Sequence, residues 1–296
     1  MMKISHWISA FRLRTLFLSL SCIWAGLICS EVVGKTNVLV SIFTFLTALF
    51  LQILSNLAND YGDSIHGADH AGRKGPSRAV QSGAISKEQM KRGLIIAAVL
   101  SFISGCCLLY FSLPAIGLTA SLVLLGIGIL SILAAIAYTN GKRPYGYAGL
   151  GDISVFIFFG WVAVLGAQYL QTSMITEAAI YLSITYGLLS VGVLNLNNMR
   201  DIESDESAGK KSIPVRLGLV RAKLYHSLVL IFAILGIWGF FSSIHQNMWF
   251  AILPSILISI NIYLASKAKD HASFDPLLKW LSLSTFISTL IIQICL

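Results

Sequence analysis

Long apolar runs separated by short polar breaks fill this chain. Nine are read, at roughly 15–33, 36–58, 93–111, 115–138, 150–170, 176–197, 224–243, 248–266 and 277–295. Each approaches the roughly 20 residues a helix needs to cross a bilayer. Runs of this length without period-two alternation predict helices that satisfy their own backbone groups in hydrocarbon. The expected fold is therefore all-α, a polytopic bundle of about nine transmembrane helices around a central cavity. No linker or low-complexity stretch interrupts the pattern, so residues 1–296 are expected to form one integral-membrane domain.

Composition and charge sharpen that picture. The chain is 56% hydrophobic and 11% charged, against about 25% charged in a soluble domain. Of its 21 Lys and Arg, only Lys35 falls at an odd-numbered connection. The N-terminus and the even-numbered connections hold the rest, which predicts a cytoplasmic N-terminus and an external C-terminus. The net charge of +8 is thus a topogenic signal, and no nucleic-acid partner is needed to explain it. The segment 1–14, MMKISHWISAFRLR, reads as a short amphipathic helix on the inner surface, and no cleavable signal peptide is expected. The five cysteines (22, 29, 106, 107 and 295) all lie in apolar runs, lack metal-ligand spacing and read as packing residues.

Two polar clusters stand out where apolar runs end. NLANDYGD carries Asn56, Asp60 and Asp63, and NNMRDIESD carries Asn197, Asp201 and Asp205. Residues four apart share a helix face, so each cluster would aim its amide and carboxylates one way. Each leads into a similar string, GRKGPSRAVQSG at 72–83 and GKKSIPVRLG at 209–218, an internal repeat. Two pseudo-repeated four-helix halves would bring the clusters face to face over the cavity. Four close carboxylates repel unless a cation lies among them. Mg²⁺ suits the role, since it takes a few carboxylates together with phosphates and water. The loops 59–92 and 198–223 are long enough to cap the cavity mouth.

Candidate diphosphate-binding cations are Arg14 at the start of the first span, Arg78 after the first cluster, and Lys142 and Arg143 after the fourth span. Tyr138 stands four before Lys142, on the same face if the helix continues that far. Asp152 opens an apolar span, where a lone carboxylate is costly. It is expected either to pair with a basic residue or to orient an acceptor hydroxyl. Asp60, Asp201, Lys142, Tyr138 and Asp152 are the candidate catalytic set. Asn56, Asp60, Asp63, Asn197, Asp201 and Asp205 are the candidate metal ligands. The aromatics of 138–161 read mostly as belt and core residues; those few that line the cavity would hold a flat ring and shield an allylic cation. His66 and His70, four apart in a Gly-rich loop, read as solvated. A membrane transporter of an anionic solute would also fit a cavity lined by both signs of charge.

At these residues the chain resembles the intramembrane aromatic prenyltransferase superfamily, whose members share two Asp-rich motifs on inner helix ends. The finer match is to the branch acting on 1,4-dihydroxy-2-naphthoate in menaquinone biosynthesis. It is carried by NDYGDSIHGAD (59–69), GPSRAVQSGAIS (75–86), YTNGKRPYGYAGLGDISVFIFFGWVAVLG (138–166) and NNMRDIESDESAGKKSIPVRLG (197–218). The resemblance implies a helical bundle around a cavity open to lipid, in a bacterial inner membrane. It also implies Mg²⁺-dependent transfer of a polyprenyl group from its diphosphate to the naphthoate, with loss of CO₂, giving demethylmenaquinone. Relatives acting on 4-hydroxybenzoate tend to carry a further Asp where this chain has Gly67. Either Asp63 or Asp69 would complete the first metal site, and hydroxybenzoate stands as the alternative acceptor.

Overall fold

A computed structural model describes residues 4–66 and 78–296. Among the described residues all regular structure is helical. The short α1 (Ile4–Phe11) places Trp7, Ala10 and Phe11 against a core formed with Leu54, Leu57, Met90 and Ala97. Arg12 then adopts a left-handed backbone (φ 51°), which turns the chain sharply into α2 (Leu13–Val32). α3 (Val38–His66) carries the first polar cluster at its C-terminal end, and α4 (Lys87–Ala137) follows.

Among the described residues eight helices are long and apolar enough to cross a membrane, yet α4 supplies two passes. Gly117 lies inside α4 with φ 75° and ψ 169°, a conformation open to glycine and costly for other residues. Near residue 93 the helix touches Leu57, and just beyond its other end Thr139 Oγ1 donates to the Ala58 carbonyl at 2.9 Å. A straight helix would separate those two points by about 70 Å. The chain therefore folds back at Gly117, and its arms 87–116 and 118–137 pack as a hairpin on α3. That gives nine passes, as the hydropathy pattern predicts. The first arm begins six residues earlier than the apolar run. Ser86 and Gln89 form a reciprocal capping box that satisfies its exposed N–H groups.

The second half holds α5 (Gly151–Thr172), α6 (Glu177–Arg200), the short α7 (Ile202–Ser207), α8 (Ile213–Ser243), α9 (Met248–Lys267) and α10 (His271–Ile294). Its core joins α2 to α6, α8 and α10 through Cys22, Ile28, Leu182, Tyr186, Leu189, Phe240 and Leu281. α6, bearing the second polar cluster, packs along α8 much as α3 packs along α4. Within α5, residues Phe156–Leu165 form a π-helix. Its wide turns fit closely between neighbours: a Cβ on Gly26 would meet the Val164 carbonyl at 2.2 Å, and one on Gly160 the Ser183 carbonyl at 2.5 Å. Exposed Ile95, Ile96, Phe102, Leu122, Val123 and Leu130 on the α4 arms form an apolar exterior suited to lipid.

Candidate active site

A cavity of about 370 Å³ lies between α2, α3, both arms of α4, α5 and α6. On α3 its wall extends from Asp63 to Thr44, about 28 Å of helix, close to the thickness of a bilayer's hydrocarbon core. The deep part is lined by Ile23, Leu51, Leu108, Leu124, Phe158 and Phe159 among others. The end where α3 and α6 terminate is polar. There the lining includes Arg12, Arg14, Arg78 and Lys210 together with Asn56, Asn59, Asp63, Asn197 and Asn198.

The two clusters come together at this mouth. Asp63 accepts from the Tyr147 hydroxyl at 2.8 Å and pairs with Arg78 at 3.0 Å. Lys210 pairs with Asp205 at 3.3 Å and sits over the Tyr147 ring, 5.8 Å from its centroid. The backbone N–H of Lys211 also donates to the Tyr147 carbonyl. Tyr147 thus bridges the two clusters, touching Asp63 of the first and Lys210 beside the second. Burial opposes the charge of Lys210, but Asp205 and Asp63 outweigh it and hold the ammonium above the usual lysine range. Burial pushes the Asp205 carboxyl up. Lys210 opposes that shift, while Asp201 and Asp63 add to it. Burial and then the neighbouring Asp63 raise the Tyr147 phenol, so it stays a hydrogen-bond donor.

The other sequence-predicted residues divide into those at the cavity and those behind it. Asn56, Asn59 and Asp63 present one face of α3 to the cavity, whereas Asp60 faces the 78–86 segment and accepts from the Ala79 N–H at 3.1 Å. Asp201 is gripped by Arg200, at 2.9 Å from Nε and 2.8 Å from Nη2. The amide of Asn56 is engaged by Phe11, Thr15 and Gln52. The Asn197 oxygen accepts from Arg200 at 2.8 Å, which leaves its NH₂ for the cavity. These asparagines therefore orient and donate; neither presents a free oxygen. Asp69 and His70 lie outside the described residues.

Tyr138 lines the cavity, but it does not share a helix face with Lys142. Helix α4 ends at Ala137, and Gly141 (φ 99°) turns the chain so that Lys142 and Arg143 are exposed and away from the cavity. The glycines of 144–151 are packing points: a Cβ on Gly146 or Gly151 would meet Tyr138 at 2.6 and 2.7 Å. Asp152 is paired, by the Tyr225 hydroxyl at 2.7 Å rather than a cation, and is not part of the cavity wall. Sequence reasoning passed over Arg12, Lys210, Tyr147, Asn198 and Arg200. Lys210 was hidden among topogenic charges, although its place five residues after Asp205 was a usable signal.

The site suits a divalent cation in part. Asp60 Oδ1, Asp205 Oδ2 and Asn198 Oδ1 are buried acceptors without a hydrogen-bond partner among the described residues, the kind of oxygen Mg²⁺ takes. No three His, Cys, Asp or Glu side chains among the described residues form a ready-made metal site. A bound ion would need oxygens from a ligand or water.

Comparison with known proteins agrees with this architecture. Residues 18–290 match the model of the UbiA prenyltransferase family. The 1,4-dihydroxy-2-naphthoate octaprenyltransferase of Escherichia coli (strain K12) is 41% identical over 275 residues, 92% of this chain and 89% of that protein. That of Haemophilus influenzae is 38% identical over 296 residues, 99% and 96% of the two chains. Among solved structures, a UbiA homologue from Aeropyrum pernix K1 aligns with a TM-score of 0.69 at 16% identity, covering 95% of this chain and 96% of its own. A UbiA homologue from Archaeoglobus fulgidus, bound to GPP and Mg²⁺, aligns at 0.59 and 17%, covering 97% and 99%. The family match over nearly the whole length, on a helical bundle whose two polar clusters close over one cavity, makes this chain a member of the UbiA prenyltransferase family and an integral-membrane prenyltransferase.

Proposed function

We propose that this chain transfers a long polyprenyl group from polyprenyl diphosphate to 1,4-dihydroxy-2-naphthoate, with Mg²⁺, releasing diphosphate and CO₂. The observation that carries the reading is the composition of one chamber: four cationic side chains, with Asn56, Asp63 and Asn197 of the two polar clusters, surround the mouth of a deep apolar cavity. A diphosphate with a long hydrocarbon tail has that same division. The naphthoate prenyltransferase relatives support the choice of acceptor, and the GPP- and Mg²⁺-bound homologue supports the donor class.

In this reading Asp60, Asp63, Asp201 and Asp205 would hold Mg²⁺; Asn56 ties α3 to the turn before α2, and Asn197 shares Arg200 with Asp201. The ion would offset charge on the diphosphate as its bond to the prenyl carbon breaks. Arg12, Arg14, Arg78 and Lys210 donate to the departing phosphate oxygens. The tail runs into the apolar part of the cavity. Tyr138, Phe158 and Phe159 offer π faces to the allylic cation, and the buried setting keeps water from it. The electron-rich ring attacks the cation at the carbon bearing the carboxylate. The new C–C bond forms, the carboxylate leaves as CO₂, and its bonding electrons restore the aromatic ring. No ring proton has to be removed, so no general base is assigned. The product is the hydroquinone form of demethylmenaquinone.

The testing experiment incubates purified protein with Mg²⁺, a long-chain polyprenyl diphosphate and 1,4-dihydroxy-2-naphthoate. Diphosphate and CO₂ are expected in equal amounts, both lost on chelation. Diphosphate without CO₂ would refute the naphthoate acceptor, and neither product would refute the prenyl-transfer reading of the mouth.

A further inference from the structure

Asp275 sits at the start of α10, about 260 positions from the first span, and gathers three cations on one carboxylate. Arg14 Nη1 reaches Oδ1 at 3.0 Å, Arg200 Nη1 reaches the same oxygen at 2.6 Å, and Lys279 reaches Oδ2 at 3.1 Å. Arg200 has a fully buried side chain, and its other donors hold Asp201 and the oxygen of Asn197. Arg14 and Asn197 line the cavity mouth; Asp275 does not.

We propose that Asp275 is a positioning residue for the anion-binding mouth. It would fix Arg14 at the rim and, through Arg200, set the Asn197 amide and the Asp201 carboxylate. The inference rests on the diphosphate reading of that mouth. Arginine loses substantial rotamer entropy on being ordered. A carboxylate that orders Arg14 beforehand removes that cost from ligand binding. The same carboxylate compensates the Arg200 guanidinium in its buried position, so the fork that grips Asn197 and Asp201 keeps one orientation. The NH₂ of Asn197 is thereby held toward the cavity as a donor for a phosphate oxygen. One residue on the last helix thus couples the first span to the second polar cluster.

The test uses the purified full-length protein with inorganic diphosphate and Mg²⁺ as the probe, measured by calorimetry, alongside steady-state kinetics. Asp275→Asn is expected to weaken diphosphate binding about tenfold. It should raise KM for the prenyl donor while leaving KM for the aromatic acceptor near wild type. Asp275→Glu should recover most of the affinity. On an Arg14→Gln background, the further loss from Asp275→Asn should shrink to about threefold or less, because the two act as a unit. Equal losses on both backgrounds would overturn the proposal. So would unchanged diphosphate binding, or a rise in both KM values together. Asp275→Glu gives the same decision if the Asn variant folds poorly: an affinity as low as that of Arg14→Gln overturns it. Absence of diphosphate binding in the wild-type protein would instead refute the mouth as a diphosphate site, and this inference with it.

Discussion

At the scale of single residues, the mouth is governed by which carboxylate meets which cation. Lys210 is nearly buried, and its ammonium faces Asp205 directly and Asp63 across the Tyr147 ring. Removing one partner of such a pair leaves the other charge buried without compensation, at about 3 kcal/mol or more. Lys210→Met is therefore expected to lower the melting temperature markedly. Adding Asp205→Asn in the same protein should recover part of the loss, because the uncompensated charge goes too. Thermal unfolding of both variants with and without Mg²⁺ checks this. Extra stabilisation of Lys210→Met by Mg²⁺, beyond that of wild type, is the expected sign that an ion replaces the missing cation. A double variant no more stable than Lys210→Met would count against the pairing. Much of this mouth was legible: Asn56, Asp63, Asn197, Arg14 and Arg78 were all read from spacing and charge, and all line the cavity. Lys142 was misplaced because an i to i+4 argument needs a helix, and here the helix ends at Ala137. Arg200 and Asp275 escaped because a pair 75 positions apart leaves no local pattern.

Among the elements, the spans were legible because hydropathy records which segments avoid water. What hydropathy cannot record is the winding of a segment apolar on every side. The stretch 156–165 would show the same pattern as an α-helix, yet it winds as a π-helix. Its neighbours fit it closely. Gly26 on α2 and Gly187 on α6 let the wider coil approach, and Gly160 on the coil itself meets the α6 backbone at Ser183. Glycine spacing was the only trace in the sequence, and small residues at helix contacts are too common to single out a π-turn. Gly160→Ala would force a methyl to within 2.5 Å of the Ser183 carbonyl. It is expected to cost about 1–3 kcal/mol through overpacking. Gly166→Ala, six residues on, meets nothing within 4 Å and should change stability by less than about 0.5 kcal/mol. Unfolding of the two variants in one detergent makes the comparison. Equal stability would mean the coil shifts to admit the methyl, and the close fit does not set its winding.

Across the whole molecule, the number of passes decides which side of the membrane each end meets. Were α4 a single pass, the two termini would lie on one side. The reversal at Gly117 makes the count odd and places them on opposite sides. The turns then sort themselves by length and charge. The connections 33–37, 173–176 and 244–247 and the bend at Gly117 are short, and of these only 33–37 carries a Lys or Arg, Lys35. On the side of the polar mouth the connections 138–150 and 201–212 are longer and 268–270 is short, and the mouth-side segments carry all the Lys and Arg outside the helices except Lys3, Arg12 and Lys35. By the bias of Lys and Arg toward the cytoplasm, the mouth is expected to face inward and the C-terminus outward. That orientation would let a polyanionic donor reach the mouth from the cytoplasm without crossing the bilayer. Alkaline phosphatase, active only outside the cytoplasm, is therefore expected to be active when fused after residue 296. It should be inactive when fused after residue 83 or residue 209. Activity at both 83 and 209 with silence at 296 would invert the whole arrangement. Silence at 83 and 296 with activity at 209 would make α4 a single pass and contradict the fold-back at Gly117, the feature that puts both polar clusters on one side.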